Sequence, residues 1–178
     1  MSVTLTYDGQ MLKWPDGKTF KATTGYKDEV YGDEHFSVTV EYQKPDKQCI
    51  ENGSIPEGNY KIYVLFQGEA NIKQNCELKP SWGWTTIPEE KPGGCLWSEW
   101  GHNRARLEPA DDQTKKACDG SRGGFYIHDS TKGYSHGCIE VEPKFFRVLK
   151  AAIKGGEKHF IISVHYVPDR VTNGGTKQ

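Results

Sequence analysis

Alternation of apolar and polar residues runs through much of this chain. Val3-Thr4-Leu5-Thr6-Tyr7 and Met11-Leu12-Lys13-Trp14 flank Asp8-Gly9-Gln10. Successive side chains of a strand face opposite sides, so this period of two predicts two short strands joined by a turn. Asp16-Gly17 then separates Trp14 from Thr19-Phe20-Lys21-Ala22, and Asp-Gly between alternating runs predicts a hairpin. The same reading predicts strands at Phe36–Tyr42, Phe125–Ile127, Ile139–Val141 and Ile161–Val167. It also predicts one at Tyr60–Phe66, which is rich in β-branched and aromatic residues.

A different period sets in after Pro143, a residue suited to the first turn of a helix. Phe145, Phe146, Leu149 and Ile153 recur at steps of three and four, which draws an apolar stripe along one helix face. Gly155-Gly156 supplies the stop. The expected fold class is therefore mainly β with one clear α-helix, in a single domain over residues 1–178. Residues 67–122 carry Pro80, Pro88, Pro92 and Pro109 and show neither period clearly. They are expected as a loop-rich insertion of the kind that serves as a lid or binding loop. The tail Thr172–Gln178 is expected to fray.

With 178 residues the chain is long enough for one core. Its net charge of −1, with no dominant Lys/Arg run, excludes a nucleic-acid footprint. The longest apolar run, Phe160–Val164, is far too short to span a bilayer. Met1–Tyr7 has neither a basic region nor a long apolar core, so no secretory signal peptide is expected and synthesis in the cytoplasm follows. Trp82, Trp84, Trp97 and Trp100 read first as satellite core packing and second as a groove for a glycan or a partner.

The chemistry concentrates in one stretch. His128 precedes Cys138 by ten residues, and His136 precedes it by two. A thiolate is the attacking form of cysteine, and a nearby imidazole can take the thiol proton. Gly137 lets backbone N–H groups approach a developing oxyanion. Two other readings stay open on spacing alone. His128, His136 and Cys138 could be three ligands of a zinc ion, or the cysteine and histidines could be unrelated.

Ser135-His136-Gly137-Cys138-Ile139, with His128 upstream at the end of a strand-like run, resembles the signature of the L,D-transpeptidase catalytic domain. Gly53-Ser54-Ile55-Pro56-Glu57-Gly58-Asn59-Tyr60 resembles a second segment of that superfamily, especially its compact members delivered between bacteria by type VI secretion systems. The short His–Cys interval is similar to theirs. The resemblance implies an L,D-transpeptidase-like β-sandwich or barrel. In it Cys138 is the nucleophile, His128 the general base, His136 and Gly137 shape the oxyanion loop, and Ser135 orients the imidazole network. It implies peptidoglycan stem peptides as substrate, no cofactor, a cognate immunity protein and a possible secretion-system carrier, with action in a target cell's periplasm.

Housekeeping members carry Arg or Asn two residues after the cysteine, where this chain has Glu140. A substrate carboxylate would suit an arginine, and Arg122 or Arg147 is the candidate replacement. Tyr126, Arg122 and Glu140 are the candidate substrate-binding residues. Glu140 and the tryptophans also keep open a non-catalytic peptidoglycan- or glycan-binding module on the same fold. Four further cysteines, Cys49, Cys76, Cys95 and Cys118, allow two disulfides in three connectivities or four unpaired thiols. Disulfides would fit a protein made in the cytosol and sent to an oxidising destination.

Overall fold

The computed structural model describes residues 2–25, 29–31, 34–36, 47–51, 53–89, 95 and 97–178. The predicted strand at Phe36–Tyr42 falls almost wholly outside them. Twelve strands are described: β1 (Ser2–Tyr7), β2 (Met11–Lys13), β3 (Thr19–Thr24), β4 (Glu29–Tyr31), β5 (Glu34–Phe36), β6 (Gly58–Tyr63), β7 (Phe66–Glu69), β8 (Trp84–Thr86), β9 (Asn103–Pro109), β10 (Phe125–His128), β11 (Ile139–Val141) and β12 (His159–Val164). The helices are α1 (Asp112–Lys116) and α2 (Lys144–Lys154).

One ten-stranded sheet runs β10-β11-β3-β2-β1-β12-β6-β9-β8-β7, and β10 also pairs with β9. That extra pairing closes β10, β11, β3, β2, β1, β12, β6 and β9 into a ring. Strands β8 and β7 extend from β9, and β4–β5 form a separate hairpin. Closure removes free sheet edges around the ring. The mainly β expectation holds, with a barrel as its form.

The period of two explains the interior. In β12, Phe160, Ile162 and Val164 are buried while their neighbours are not. Leu5, Leu12, Ile62, Leu107, Ile127 and Ile139 join them in one core. Helix α2 adds its stripe: Phe145 meets Phe20 edge-on with ring centroids 5.4 Å apart, and Phe146 packs 5.7 Å from Trp84. Each such side chain withdrawn from water contributes about 1.5–3 kcal/mol. Among the described residues no helix is long and apolar enough to cross a membrane.

Several expectations need correcting. Tyr60–Phe66 is not one strand. The ladder stops at Tyr63, and a second strand restarts at Phe66 to pair in parallel with β8. The last strand ends at Val164 because the amide of Tyr166 turns to the Glu57 carboxylate, 2.8 Å away. The insertion 67–122 contains β7, β8, β9 and α1, a second helix capped by Asp111 accepting from the Thr114 amide. The tail does not fray. Thr172 and Thr176 are buried, and the Thr172 hydroxyl donates to the Thr24 carbonyl at 2.8 Å. The four cysteines pair as Cys49–Cys118 and Cys76–Cys95, with Cα–Cα distances of 5.2 and 5.6 Å, within the ordinary range for a disulfide. Cys138 is the free thiol.

Candidate active site

Three adjacent strands carry the site. Strand β10 lies between β9 and β11, with His128 opposite Arg104 on one side and opposite Glu140 on the other. Tyr126 is likewise opposite Arg106. Residues two apart on a strand share a face, so Arg104, Arg106, Tyr126, His128 and Glu140 share one face of the sheet. Ala105, Leu107, Phe125, Ile127 and Ile139 belong to the core behind it. Cys138 stands immediately before β11.

The loop between His128 and Cys138 is wound around Glu140. This carboxylate is 0 % exposed. Its Oε1 accepts the Gly133 amide at 2.8 Å and the Thr176 hydroxyl. Its Oε2 accepts the Ser130 hydroxyl and lies 3.3 Å from Lys132 Nζ. A carboxylate is stable in such a place only because donors and a cation replace water. The Glu140 candidacy for substrate contact is thus corrected: it is an internal anchor with no open face.

Ser130 links that anchor to the imidazole. Its hydroxyl donates to Glu140 and lies 3.1 Å from His128 Nδ1. A hydroxyl has one hydrogen bond to donate, and here it goes to the carboxylate. Nδ1 must therefore be the N–H that donates to Ser130, which leaves the lone pair on Nε2. Burial pushes His128 well below its usual pKa, and the charges of Lys132 and Arg104 push the same way. Burial also raises the Cys138 thiol, against the Tyr126 amide and the charges of Lys132, Arg104 and Arg106. Each shift favours the neutral form at rest, thiol for Cys138 and imidazole for His128.

Ser135 does not orient the imidazole, contrary to expectation. Its hydroxyl donates to the Cys138 carbonyl and accepts the Gly25 amide at 3.1 Å. It therefore fixes the backbone of the cysteine loop against the end of β3. Gly137 has φ +115, and a Cβ there would collide with the Arg122 guanidinium. Arg122 in turn donates to the carbonyls of Gln48, Ile50, Gly53 and Ser54 at 2.6–3.4 Å. This corrects its expected role. It clamps the Gly53–Ser54 segment beneath the cysteine loop rather than reaching for a substrate.

Tyr126 is also covered. Its hydroxyl accepts from Arg106 Nη1 and from the Ser81 amide, both at 3.0 Å, and the Arg104 guanidinium lies 4.4 Å from its ring centroid. Arg104 and Arg106 are the members that sequence reasoning missed. Trp100 stacks edge-on against His128 and Tyr126, with centroids 5.3 and 5.4 Å apart. Asp129 holds the chain beyond Trp100 by accepting the His102 and Asn103 amides at 2.6 and 2.8 Å. The tryptophans divide their roles: Trp84 and Trp97 pack in the two cores, Trp100 covers the site, and exposed Trp82 lies over Arg106.

His136 is exposed and packs edge-on against Tyr134, with centroids 6.2 Å apart. Among the described residues no three His, Cys, Asp or Glu side chains are grouped to hold a metal ion. The zinc reading of His128, His136 and Cys138 therefore lacks its ligand set.

No curated protein matches the chain significantly. The model of the L,D-transpeptidase catalytic domain matches residues 4–161, which run from within β1 to within β12 and take in α2 and both motif segments. On that extent of match, the chain belongs to the L,D-transpeptidase catalytic domain family.

Proposed function

We propose that this chain is a cysteine acyltransferase or peptidase acting on tetrapeptide stems of peptidoglycan, with Cys138 as nucleophile and His128 as base. One observation carries the reading. Ser130, held by buried Glu140, fixes the His128 tautomer with its lone pair on Nε2. Family membership supplies the substrate class.

In the proposed reaction Nε2 takes the Cys138 thiol proton as sulfur attacks the carbonyl carbon of the third stem residue, diaminopimelate. The amides of Gly137 and Cys138 receive the oxyanion, a contribution on the order of 10²–10³ in rate per donor. The tetrahedral adduct collapses, the carbon–nitrogen bond breaks, and the imidazolium gives its proton to the leaving D-alanine. The thioester then passes its acyl group to an amine, giving a cross-link or an exchanged D-amino acid, or to water, giving carboxypeptidase cleavage. Neutral resting groups suit this sequence, because the proton moves only as the bond forms.

The biological setting we infer is that of an antibacterial effector, delivered by a type VI secretion system and held in check by an immunity protein that plugs the site. The short His–Cys interval supports it, as do two disulfides suited to an oxidising periplasm. Mass spectrometry of purified muropeptides incubated with wild type and Cys138→Ala tests the chemistry. Stem shortening or exchange by wild type alone is expected; equal processing by the alanine variant refutes it. Export of each protein to a Gram-negative periplasm tests the setting, with slowed growth expected from wild type alone.

A further inference from the structure

The wall of β6, β7 and β8 meets the C-terminal end of α2 in a groove of about 810 Å³. Ile62, Val64, Trp84 and Ile153 line its floor. Leu65 and Phe66 stand at its mouth, 73 % and 56 % exposed. Two adjacent large apolar side chains left in water beside an apolar groove mark a surface built to be covered. Its rim is strongly basic. Lys61, Lys150, Lys154 and Lys158 line it against Glu157, in a chain whose net charge is −1. None of the four lysines is ion-paired among the described residues. Strand β7, at the mouth, is also the terminal strand of the sheet as described.

We propose that this groove docks an acidic segment of a partner protein that presents apolar anchors between Asp or Glu residues. The apolar floor takes the anchors, and the lysine rim takes the carboxylates. The backbone edge of β7 offers N–H and C=O groups that a peptide can pair with and a lipid chain cannot. The groove's lining includes Asn103, which bonds Asp129 beside His128, but none of Arg104, Arg106, Tyr126, His128 or Cys138.

The test uses a random dodecapeptide display library against the full chain, followed by affinity measurement on a synthetic peptide of the selected consensus. A consensus mixing acidic with aromatic or aliphatic residues is expected. Its binding should weaken by about tenfold or more in Leu65→Ser/Phe66→Ser, as for loss of an interface anchor. It should also weaken in Lys150→Glu/Lys154→Glu and with added salt. These side chains are exposed, and unchanged thermal unfolding of the variants confirms intact folds. A basic or purely apolar consensus, or binding that survives both double variants, overturns the proposal. So does tighter binding of phosphatidylglycerol vesicles than of the peptide, lost in the same variants.

Discussion

The Ser130 hydroxyl lies 3.1 Å from Nδ1 of His128. Because that hydroxyl donates its one hydrogen bond to Glu140, the imidazole has one allowed tautomer. Ser130→Ala releases it. The expected outcome is a fall in kcat of about 10- to 100-fold, less than the roughly 10²–10⁴ that a positioned base supplies because the base itself remains, with KM little changed. Ser130→Thr should restore much of it. Steady-state kinetics on a tetrapeptide stem checks both, together with the pH profile, which a merely structural role would leave in place.

Glu140 gathers the Gly133 amide, the hydroxyls of Ser130 and Thr176, and Lys132 around one buried carboxylate. Glu140→Gln keeps the volume but puts an amide donor among donors. The expected cost is about 3 kcal/mol, or roughly 6–12 °C in Tm for a chain of this size. Thr176→Ala removes one of these partners and should cost about 1 kcal/mol. Thermal denaturation measures both, and an unchanged Tm in Glu140→Gln contradicts the anchoring role.

Stability should fall as pH drops through the histidine range. The folded chain holds His128 neutral, well below its usual pKa, whereas the unfolded chain titrates it at about 6.5. Below that pH the unfolded state binds the extra proton first, so acidification favours unfolding until the folded value is reached. Tm should be flat just above pH 7 and decline below it, and His128→Gln should reduce the decline.

Cys138 should be a slow thiol at rest. The sequence pattern alone predicts iodoacetamide labelling well below the pH of an ordinary thiol. Burial reverses that expectation by pushing the thiol up, and the imidazole is kept neutral rather than cationic. At pH 7 the native protein should label more slowly than the same cysteine in the denatured, reduced chain. Faster labelling would mean a thiolate–imidazolium pair and would contradict the neutral resting state.

Local pattern made the His128–Cys138 stretch, the strands either side of it and α2 legible, since each rests on near neighbours in sequence. Ser130 was within reach as a hydroxyl beside the histidine. Arg104 and Arg106 were missed although Arg104-Ala105-Arg106-Leu107-Glu108 alternates with period two. Charged residues on one face disguised a central strand, and that face is tolerable only because Tyr126, Trp82 and Trp100 cover it. The roles of Glu140, Arg122 and Thr176 depend on contacts between distant segments. Thr176 bridges Thr23 and Glu140, a relationship that no periodicity encodes.

The most direct measurement is the intact mass of the protein during incubation with a purified tetrapeptide stem. A covalent adduct equal to the stem acyl group without its terminal D-alanine should accumulate, mapped by digestion to Cys138 and absent from Cys138→Ala. Stem processing with no such adduct, and undiminished in Cys138→Ala, would contradict the account.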